Sequence, residues 1–317
     1  MIRPSIIVAG LVLLLAGCAL PGADGPVQSA QTGGIGGTGG PQLSQLGDDR
    51  KPSGGIGGTG SALTGMFGTI TGFGSILIND QVVELGPALS AAARSMGVGS
   101  TVLVEAAGTG GGLTAVRLSE FHPIEGVVEA VADDFTSLEI MGVQVDLAED
   151  IIVEDRVGRL VSAGSIKPGA AVAVSGLWRS GRVDAGKLRL LPADAPARLR
   201  GQLAAGAGSI AGVAVDFYCC VVPPGPVFAD LAGVYVAGRF EAREGRFGLE
   251  ALFSGAVGRL IFEGYLAPNG DDPGVHLSGF GLPAVTADIA LEVDRRAIFT
   301  GALTDRFIIE DAAYDAE

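Results

Sequence analysis

The chain has 317 residues, which is enough for several domains. It contains 52 glycines but only 6% aromatic and 18% charged residues, a composition that favours many short strands and turns over long helices. Its formal net charge is −14 at pH 7, and no run of Lys or Arg reverses this charge locally. Because nucleic-acid affinity comes mainly from Lys and Arg that displace counterions, a nucleic-acid partner is not expected. The predicted fold class is all-β.

The first 17 residues have the features of an export signal. A basic start with Arg3 precedes an apolar run of about a dozen residues, which is shorter than the roughly 20 that a permanent membrane helix needs. The run ends Leu15-Ala16-Gly17-Cys18, which resembles the bacterial lipobox, in which the peptide is cut before the cysteine and the thiol is acylated. The resemblance implies a signal peptide over residues 1–17 and lipidation of Cys18, and two or more acyl chains anchor a protein stably. The alternative is an ordinary signal peptide with a free Cys18.

The residue that follows the cysteine indicates a location. Residue 19 is Ala rather than Asp, and in Gram-negative lipoproteins this pattern implies sorting to the outer membrane. We therefore expect a cell-envelope protein, lipid-anchored at the outer membrane and facing the periplasm or the cell surface. The expected partners are the membrane, through the lipid on Cys18, and an envelope protein or a glycan.

Residues 18–65 are rich in Gly, Ser, Pro, Thr and Gln and have few apolar residues. Such a segment cannot bury enough surface to offset its ordering entropy, so it is predicted to be a disordered, flexible tether. The heptapeptide GGIGGTG occurs in it twice, at Gly33–Gly39 and Gly54–Gly60. Each copy contains G-x-G-x-x-G, but a dinucleotide site needs a strand before this motif and a helix after it. No cofactor is expected; a short recognition or assembly motif is the alternative to a plain tether.

From Gly68 onward one order of elements recurs. A hairpin turn lies between alternating apolar runs at Asn79-Asp80, at Met141-Gly142 and at Ala211-Gly212, and such turns need residues that tolerate positive φ. After a variable insertion, two more strands follow in each copy, and the last of them is expected at 113–118, 187–191 and 247–252. The first insertion reads as a helix at 88–96, and residues 150–161 also have some helical character. Five antiparallel strands in this order can close into a small barrel of the oligonucleotide/oligosaccharide-binding type, which leaves no exposed edge.

The run GTITGFGSILIND at 68–80, together with the GGIGGTG-bearing leader and the tandem repetition, resembles the bacterial domain-of-unknown-function 5666 family. The resemblance is best over 68–121 and extends more weakly to 253. It implies tandem small β-barrels on exported proteins and brings no catalytic residues. The predicted organisation is a signal peptide at 1–17, a tether at 18–65, barrel modules at 66–121, 122–193 and 194–256, and a degenerate β module at 257–317. In this last module, strands are expected at 259–267, 275–280, 287–293, 297–303 and 307–309.

Candidate metal ligands and catalytic residues are few. His122 and His276 each lack a second ligand type at metal spacing, and the sequence has no G-x-S-x-G turn, so structural roles are expected for both. An acidic cluster lies at 146–155, but its spacing is not that of a calcium-binding loop. A solvated face or turn is the better interpretation of the cluster, whose members are Asp146, Glu149, Asp150, Glu154 and Asp155. Neither a metal site nor an enzyme is expected.

The adjacent pair Cys219-Cys220 is the most unusual feature of the sequence. The pair could close a vicinal disulfide and act as a redox or conformational switch; reduced thiols or an intermolecular bridge are the alternatives. The proline-rich segment 221–226 must leave the sheet and is a candidate partner surface. Trp178, the single tryptophan, is expected to pack in a core rather than to serve as a sugar platform.

The sequence thus predicts a non-enzymatic lipoprotein of the cell envelope that binds or scaffolds through its barrel modules. One alternative is a periplasmic redox protein that uses Cys219 and Cys220. Another is a glycan-binding module that uses the barrel faces, which would place exposed aromatic residues on one face.

Overall fold

The computed structural model describes residues 62–315, except 109–111, 205, 207, 270–271 and 287–288. The predicted signal peptide, Cys18, most of the predicted tether and both GGIGGTG copies lie outside the described residues. Within the described part, 21 β-strands, one α-helix and two 3₁₀ turns form a series of five-stranded units.

Barrel 1 is built from five strands and the helix. These elements are β1 (Leu63–Gly72), β2 (Ile76–Ile78), β3 (Gln81–Glu84), α1 (Pro87–Met96), β4 (Thr101–Ala107) and β5 (Leu113–Glu120). The strands pair in the order β1-β2-β3-β5-β4, and β4 pairs back with β1, so the sheet closes on itself. Strands β3 and β5 run parallel, and the other neighbours run antiparallel.

Barrel 2 repeats this pairing with a long third strand. Its elements are β6 (Ile124–Val131), β7 (Ser137–Ile140), β8 (Val143–Glu154), a 3₁₀ turn (Ala163–Ser165), β9 (Ala171–Arg179) and β10 (Arg182–Leu190). The pair β6–β9 closes the barrel, and β8 runs parallel to β10.

Barrel 3 has the same order of pairs. Its elements are β11 (Ala197–Leu203), β12 (Ser209–Ile210), β13 (Val213–Phe217), β14 (Val227–Val236), β15 (Arg239–Phe247) and a 3₁₀ turn (Leu249–Ala251). Strand β11 pairs with both β12 and β14, and β13 runs parallel to β15.

Barrel 4 differs in its first strand, which is interrupted at Tyr265. Its strands are β16 (Val257–Gly264), β17 (Leu266–Asn269), β18 (Asp272–Leu277), β19 (Pro283–Val285), β20 (Ala297–Leu303) and β21 (Phe307–Tyr314). The half β16 pairs with β20 and the half β17 pairs with β18, so together they occupy the place of one strand. The prediction of an all-β chain of tandem small five-stranded barrels is confirmed.

Local sequence explains the turns and the helix. Both residues of each predicted hairpin turn have positive φ, as at Asn79 (52°) and Asp80 (55°). The helix α1 begins with Pro87, which loses nothing at a position whose N–H has no helical partner, and it stops at Gly97, whose φ is 84°.

Three sequence expectations about secondary structure are wrong. Residues 150–161 are not helical, because the β-branched Ile151 and Ile152 continue β8, which pairs with β10. The last strand of barrel 3 is β15 rather than 247–252, where a 3₁₀ turn follows Gly248. In barrel 4 the third strand is β19, whereas a strand was expected at 287–293; residues 289–293 are not extended into a sheet.

The barrels are joined through their first strands. Strand β1 pairs in parallel with β16, which puts barrels 1 and 4 into one sheet. Across this joint the backbone N–H of Thr69 is hydrogen-bonded to Glu263, which is 194 residues away in sequence. Strand β6 pairs antiparallel with β11, which joins barrels 2 and 3 into a second sheet. All the described residues belong to a single compact unit.

A cluster of rings lies where the barrels meet. The ring of Phe280 stacks against Phe228 and Phe121 at centroid distances of 5.3 and 5.7 Å and meets Phe67 edge-on at 4.8 Å. Phe67 also stacks on Phe262 at 5.0 Å. We call these five rings the aromatic hub. They come from barrels 1, 3 and 4 and from the link after β5, and Leu177 of barrel 2 completes the same apolar cluster.

Candidate functional site

A polar cavity of about 290 Å³ lies between barrels 1, 2 and 4. We call it the junction cavity. Barrel 1 contributes Thr69 and Thr101 to it, and barrel 4 contributes Tyr265 and Arg296. Barrel 2 contributes the end of β9 and the first halves of β8 and β10. Because three barrels supply its wall, the cavity exists only in the assembled unit.

Two carboxylates stand side by side in this wall. Asp146 and Asp184 are register partners on the parallel strands β8 and β10, so their side chains point to the same face of the sheet. Asp184 Oδ2 accepts a hydrogen bond of 2.5 Å from the Tyr265 hydroxyl, which ties barrel 2 to barrel 4. Burial, followed by the hydrogen bond to Asp184, raises the pKa of Tyr265, so the phenol stays protonated and remains a donor at neutral pH.

Two polar atoms in the wall are buried without a hydrogen-bond partner among the described residues. They are Oδ1 of Asp184 and Oγ1 of Thr101. Thr101 is fully buried, and both residues line the junction cavity. Buried polar atoms in proteins are nearly always paired, so these two are unusual, but both are closed to solvent and neither is open to a molecule in the cavity.

Two guanidinium groups border the same cavity. Arg179 lies 3.5 Å from Asp184 Oδ2, covers the ring of Tyr265 at 5.7 Å and donates to Asp294 of barrel 4. Arg296 is bound to Glu263, whose other oxygen accepts the backbone N–H of Thr69 at 2.6 Å. Each guanidinium therefore already has carboxylate partners, and the cavity carries no excess of positive charge.

No pattern in the sequence indicates this cavity. The residues that build it lie on ordinary alternating strands, and Tyr265 and Asp184 are 81 residues apart. The acidic cluster at 146–155 fits the expected solvated face or turn only in part: Glu149 and Asp150 are exposed and Asp155 lies in a turn, but Asp146 and Glu154 have other surroundings. Asp146 reaches the junction cavity, Glu154 is buried in ion pairs, and Asp155 accepts two backbone N–H groups of the turn that follows β8.

The two predicted structural histidines lie elsewhere. His122 is buried between barrels 1 and 2, with its ring nitrogens 3.4 Å from Glu120 Oε1 and 3.2 Å from Glu125 Oε1. Burial alone would lower the pKa of His122, but the two carboxylates outweigh it and raise the pKa above its ordinary value of 6.5. Burial raises the pKa of Glu120, but its contacts with His122 and Arg189 outweigh burial and lower this pKa to about 2.

His276 of β18 is half-buried beside Trp178. Burial lowers the pKa of His276, and its Nδ1 has no hydrogen-bond partner among the described residues. The indole N–H of Trp178 donates to the carbonyl of Arg200 at 2.8 Å, and the side chain is buried in the core shared by barrels 2 and 3.

The cysteine pair lies at the start of the loop that follows β13. The structure joins the two sulfur atoms to each other, with Cys219 exposed and Cys220 half-buried. Gly245 on β15 makes room for them, because a Cβ atom there would lie 2.9 Å from the Cys220 sulfur. Tyr218 and Val221 beside the pair are both largely exposed. The vicinal disulfide remains a prediction that a thiol assay can test.

Sequence reasoning also missed a cationic cap that barrel 2 places on the helix of barrel 1. The ammonium of Lys187 is almost fully buried; it donates to the carbonyl of Met96, the last residue of α1, and lies 2.8 Å from Glu154. Arg189 donates to the same carbonyl at 3.4 Å. Cations at a helix C-terminus satisfy its free carbonyls and complement the helix dipole. The visible signal is a lysine at an inward-facing position of a strand.

Within the described residues, no three His, Cys, Asp or Glu side chains are grouped so that they could hold a metal ion. Nor does the described part of the chain contain a helix with the length and apolarity needed to cross a bilayer. Compared with known proteins, the chain matches no family model, no curated protein and no solved structure.

Proposed function

We propose that this protein is a non-enzymatic lipoprotein of the cell envelope, anchored through acyl chains on Cys18 and presenting four interlocked barrels for binding or scaffolding. The observation that carries the binding role is the junction cavity, a space of about 290 Å³ whose wall comes from three barrels. The anchor rests on the sequence Leu15-Ala16-Gly17-Cys18, and membership of the domain-of-unknown-function 5666 family is part of the same proposal.

The interlocked arrangement suits such a role. The barrels share strand pairs, the aromatic hub and the bond between Tyr265 and Asp184. A cavity with walls from three barrels keeps its shape only if those barrels do not move relative to one another, and pre-formed sites lose less entropy when they bind.

The anchor is tested with three versions of the full chain. Wild type, Cys18→Ser and the double variant Cys219→Ser/Cys220→Ser are expressed in a Gram-negative host and supplied with a labelled fatty acid. We expect label in the wild type and in the double variant but not in Cys18→Ser, and an amino-terminal peptide that starts at acylated Cys18 by mass spectrometry. An unlabelled wild type with a free amino terminus would contradict the anchor.

A second candidate function is a redox role for Cys219 and Cys220. The observation that favours it is the exposure of Cys219 beside its joined partner. If the pair carries the function, the double serine variant loses it while remaining acylated and folded.

A further inference from the structure

A second space opens where barrels 2 and 3 separate. Strand β6 pairs with β11 through two residue pairs, and the last of them joins Glu125 to Arg198. The next residues along these strands, Gly126 and Ala197, are not paired with each other, and both line a space of about 540 Å³ between the two barrels. We call this space the apolar cleft. Its volume is typical of a small-molecule site.

The wall of the apolar cleft is largely apolar and open to solvent. Val127 on β6 has 48% of its surface exposed, and Leu191 and Val234 are half-buried. Most of the remaining wall comes from alanine and glycine, which leave the space because their side chains are small. Covering such a wall with an apolar molecule removes hydrocarbon surface from water and is therefore favourable.

Two polar groups reach the cleft beside Gly142, in the turn between β7 and β8. Oε2 of Glu129 accepts the backbone N–H of Gly142 at 2.6 Å, and a Cβ atom on this glycine would lie 3.5 Å from the Tyr235 hydroxyl oxygen. Oε1 of Glu129 and the Tyr235 hydroxyl have no hydrogen-bond partner in the described part of the chain. Glu129 is exposed and the Tyr235 hydroxyl is not closed to solvent, so a molecule in the cleft can reach both.

The charge at these two groups favours a cation. Among the described residues that line the cleft, Glu129 is the only one with a charged side chain. Burial, followed by the charges of Glu129 and Glu139, raises the pKa of Tyr235, so Glu139 adds a second negative charge near the hydroxyl. An ammonium group can donate to Oε1 of Glu129 and to the hydroxyl oxygen of Tyr235, whereas a carboxylate or a phosphate would be repelled.

Two arginines border the cleft without cancelling this charge. Nε of Arg156 donates to the backbone carbonyl of Leu191 at 3.1 Å, on the apolar part of the wall. Arg239 follows Gly238 and is bound to both oxygens of Asp216. Neither arginine is among the groups that shift the pKa of the tyrosine hydroxyl, so the polar end of the cleft is negative.

We propose that the apolar cleft binds an organic cation, with its ammonium group bonded to Glu129 and Tyr235 and its apolar body on the wall around Val127. The ligand class is a primary amine carried by a compact ring or a short hydrocarbon chain. The cleft shares no lining residue with the junction cavity. The inference therefore depends neither on that cavity nor on the anchor at Cys18.

The test uses the full chain in a zwitterionic detergent, and each ligand is also measured in the detergent alone. Two matched sets are titrated by calorimetry and by saturation-transfer NMR. One set is cyclohexylmethylamine, cyclohexylmethanol and cyclohexanecarboxylate; the other is 4-phenylbutylamine, 4-phenylbutanol and 4-phenylbutyrate. We expect at least one amine to bind with a dissociation constant of about 0.1–1 mM. Its alcohol should bind about fivefold more weakly and its carboxylate at least about tenfold more weakly.

Variants place the binding in the cleft. Glu129→Gln should weaken binding of the amine about threefold to fivefold and leave the alcohol unchanged, and Glu84→Gln, at an exposed glutamate of barrel 1, is its control. Val127→Lys puts a cation into the wall and should weaken the amine at least about tenfold. Val116→Lys, at a similarly exposed valine of β5, should bind like wild type. Both valines are exposed, so both lysine variants should fold, which thermal melts check.

Three results would overturn the inference. The first is the absence of binding by both amines at about 10 mM, some ten times the weakest expected constant. The second is equal binding of an amine and its alcohol, which would remove the role of the carboxylates. The third is amine binding that Glu129→Gln and Val127→Lys both leave unchanged, which would place the amine elsewhere. Each result leaves the acylation of Cys18 untouched, because acylation is measured separately.

Discussion

Replacing Lys187 by Met tests whether barrel 2 holds the helix of barrel 1. The substitution keeps the aliphatic stem but removes the buried ammonium, which bonds to the Met96 carbonyl and to Glu154 at 2.8 Å. Removing one partner of a buried ion pair typically costs about 3–5 kcal/mol. Here both acceptors keep another donor, because Arg189 reaches Glu154 Oε2 at 3.3 Å and Ser100 Oγ donates to Met96 at 2.7 Å. We therefore expect a loss of about 2–3 kcal/mol in the free energy of unfolding.

The assay is urea unfolding of the full chain, followed by circular dichroism and by the fluorescence of Trp178. Lys167→Met is the matched control, because Lys167 is exposed and its loss should change the free energy of unfolding by less than about 0.5 kcal/mol. Hydrogen exchange locates the effect: the amides of α1 should exchange faster in Lys187→Met, while those of barrel 3 keep their rates. Equal stabilities for the two variants, or unchanged exchange in α1, would refute the cap.

Three further predictions concern other parts of the unit. In wild type, stability should fall as pH rises above 6.5 through the raised folded-state pKa of His122, because deprotonation removes the bonds of its imidazolium to two glutamates. His122→Gln should remove this pH dependence of the urea midpoint between about pH 5.5 and 8.5. A dependence that persists in the variant would contradict the assignment to His122. Phe280→Ala should lower the free energy of unfolding by about 3–5 kcal/mol and broaden the thermal transition as the barrels uncouple. Phe135→Ala, at a partly exposed ring, is the control and should lower it little. Equal effects of the two substitutions would count against the aromatic hub. Thiol labelling of the unfolded chain should show no free thiol at Cys219 or Cys220 before reduction and two afterwards, and labelling before reduction would exclude the bridge.

The features that could be predicted from the sequence are those that depend on neighbours in the chain. The turn at Asn79-Asp80 follows from two residues that tolerate positive φ between apolar runs, and α1 follows from a run of alanines between Pro87 and Gly97. The repeat of these local signals indicated the barrel, since each copy has the same five elements. At 150–161 local reasoning failed, because pairing of Ile152 with the remote β10 outweighed the weak helical character.

The candidate site was out of reach of the same reasoning. In the sequence Tyr265 is an ordinary aromatic residue, and its role in the site depends on a hydrogen bond to Asp184 of another barrel. The inward-facing Lys187 is an anomaly in an apolar pattern, but only the packing of barrel 2 against α1 explains it. How barrels pack on one another depends on surfaces spread over the whole chain, and no spacing of residues encodes those surfaces directly.

The parallel pair of β1 and β16 has a consequence for synthesis. Barrel 1 leaves the ribosome first, yet one side of residues 63–67 stays without its strand partner until the residues from Val257 onward have been made. Contacts between such distant segments form late and slowly. A chain that stops early therefore exposes an open strand edge and the ring of Phe67, which marks an unfinished molecule for proteases and chaperones. Strand β16 of the last barrel covers the open edge of barrel 1, so only a chain that includes its carboxyl-terminal barrel hides this edge.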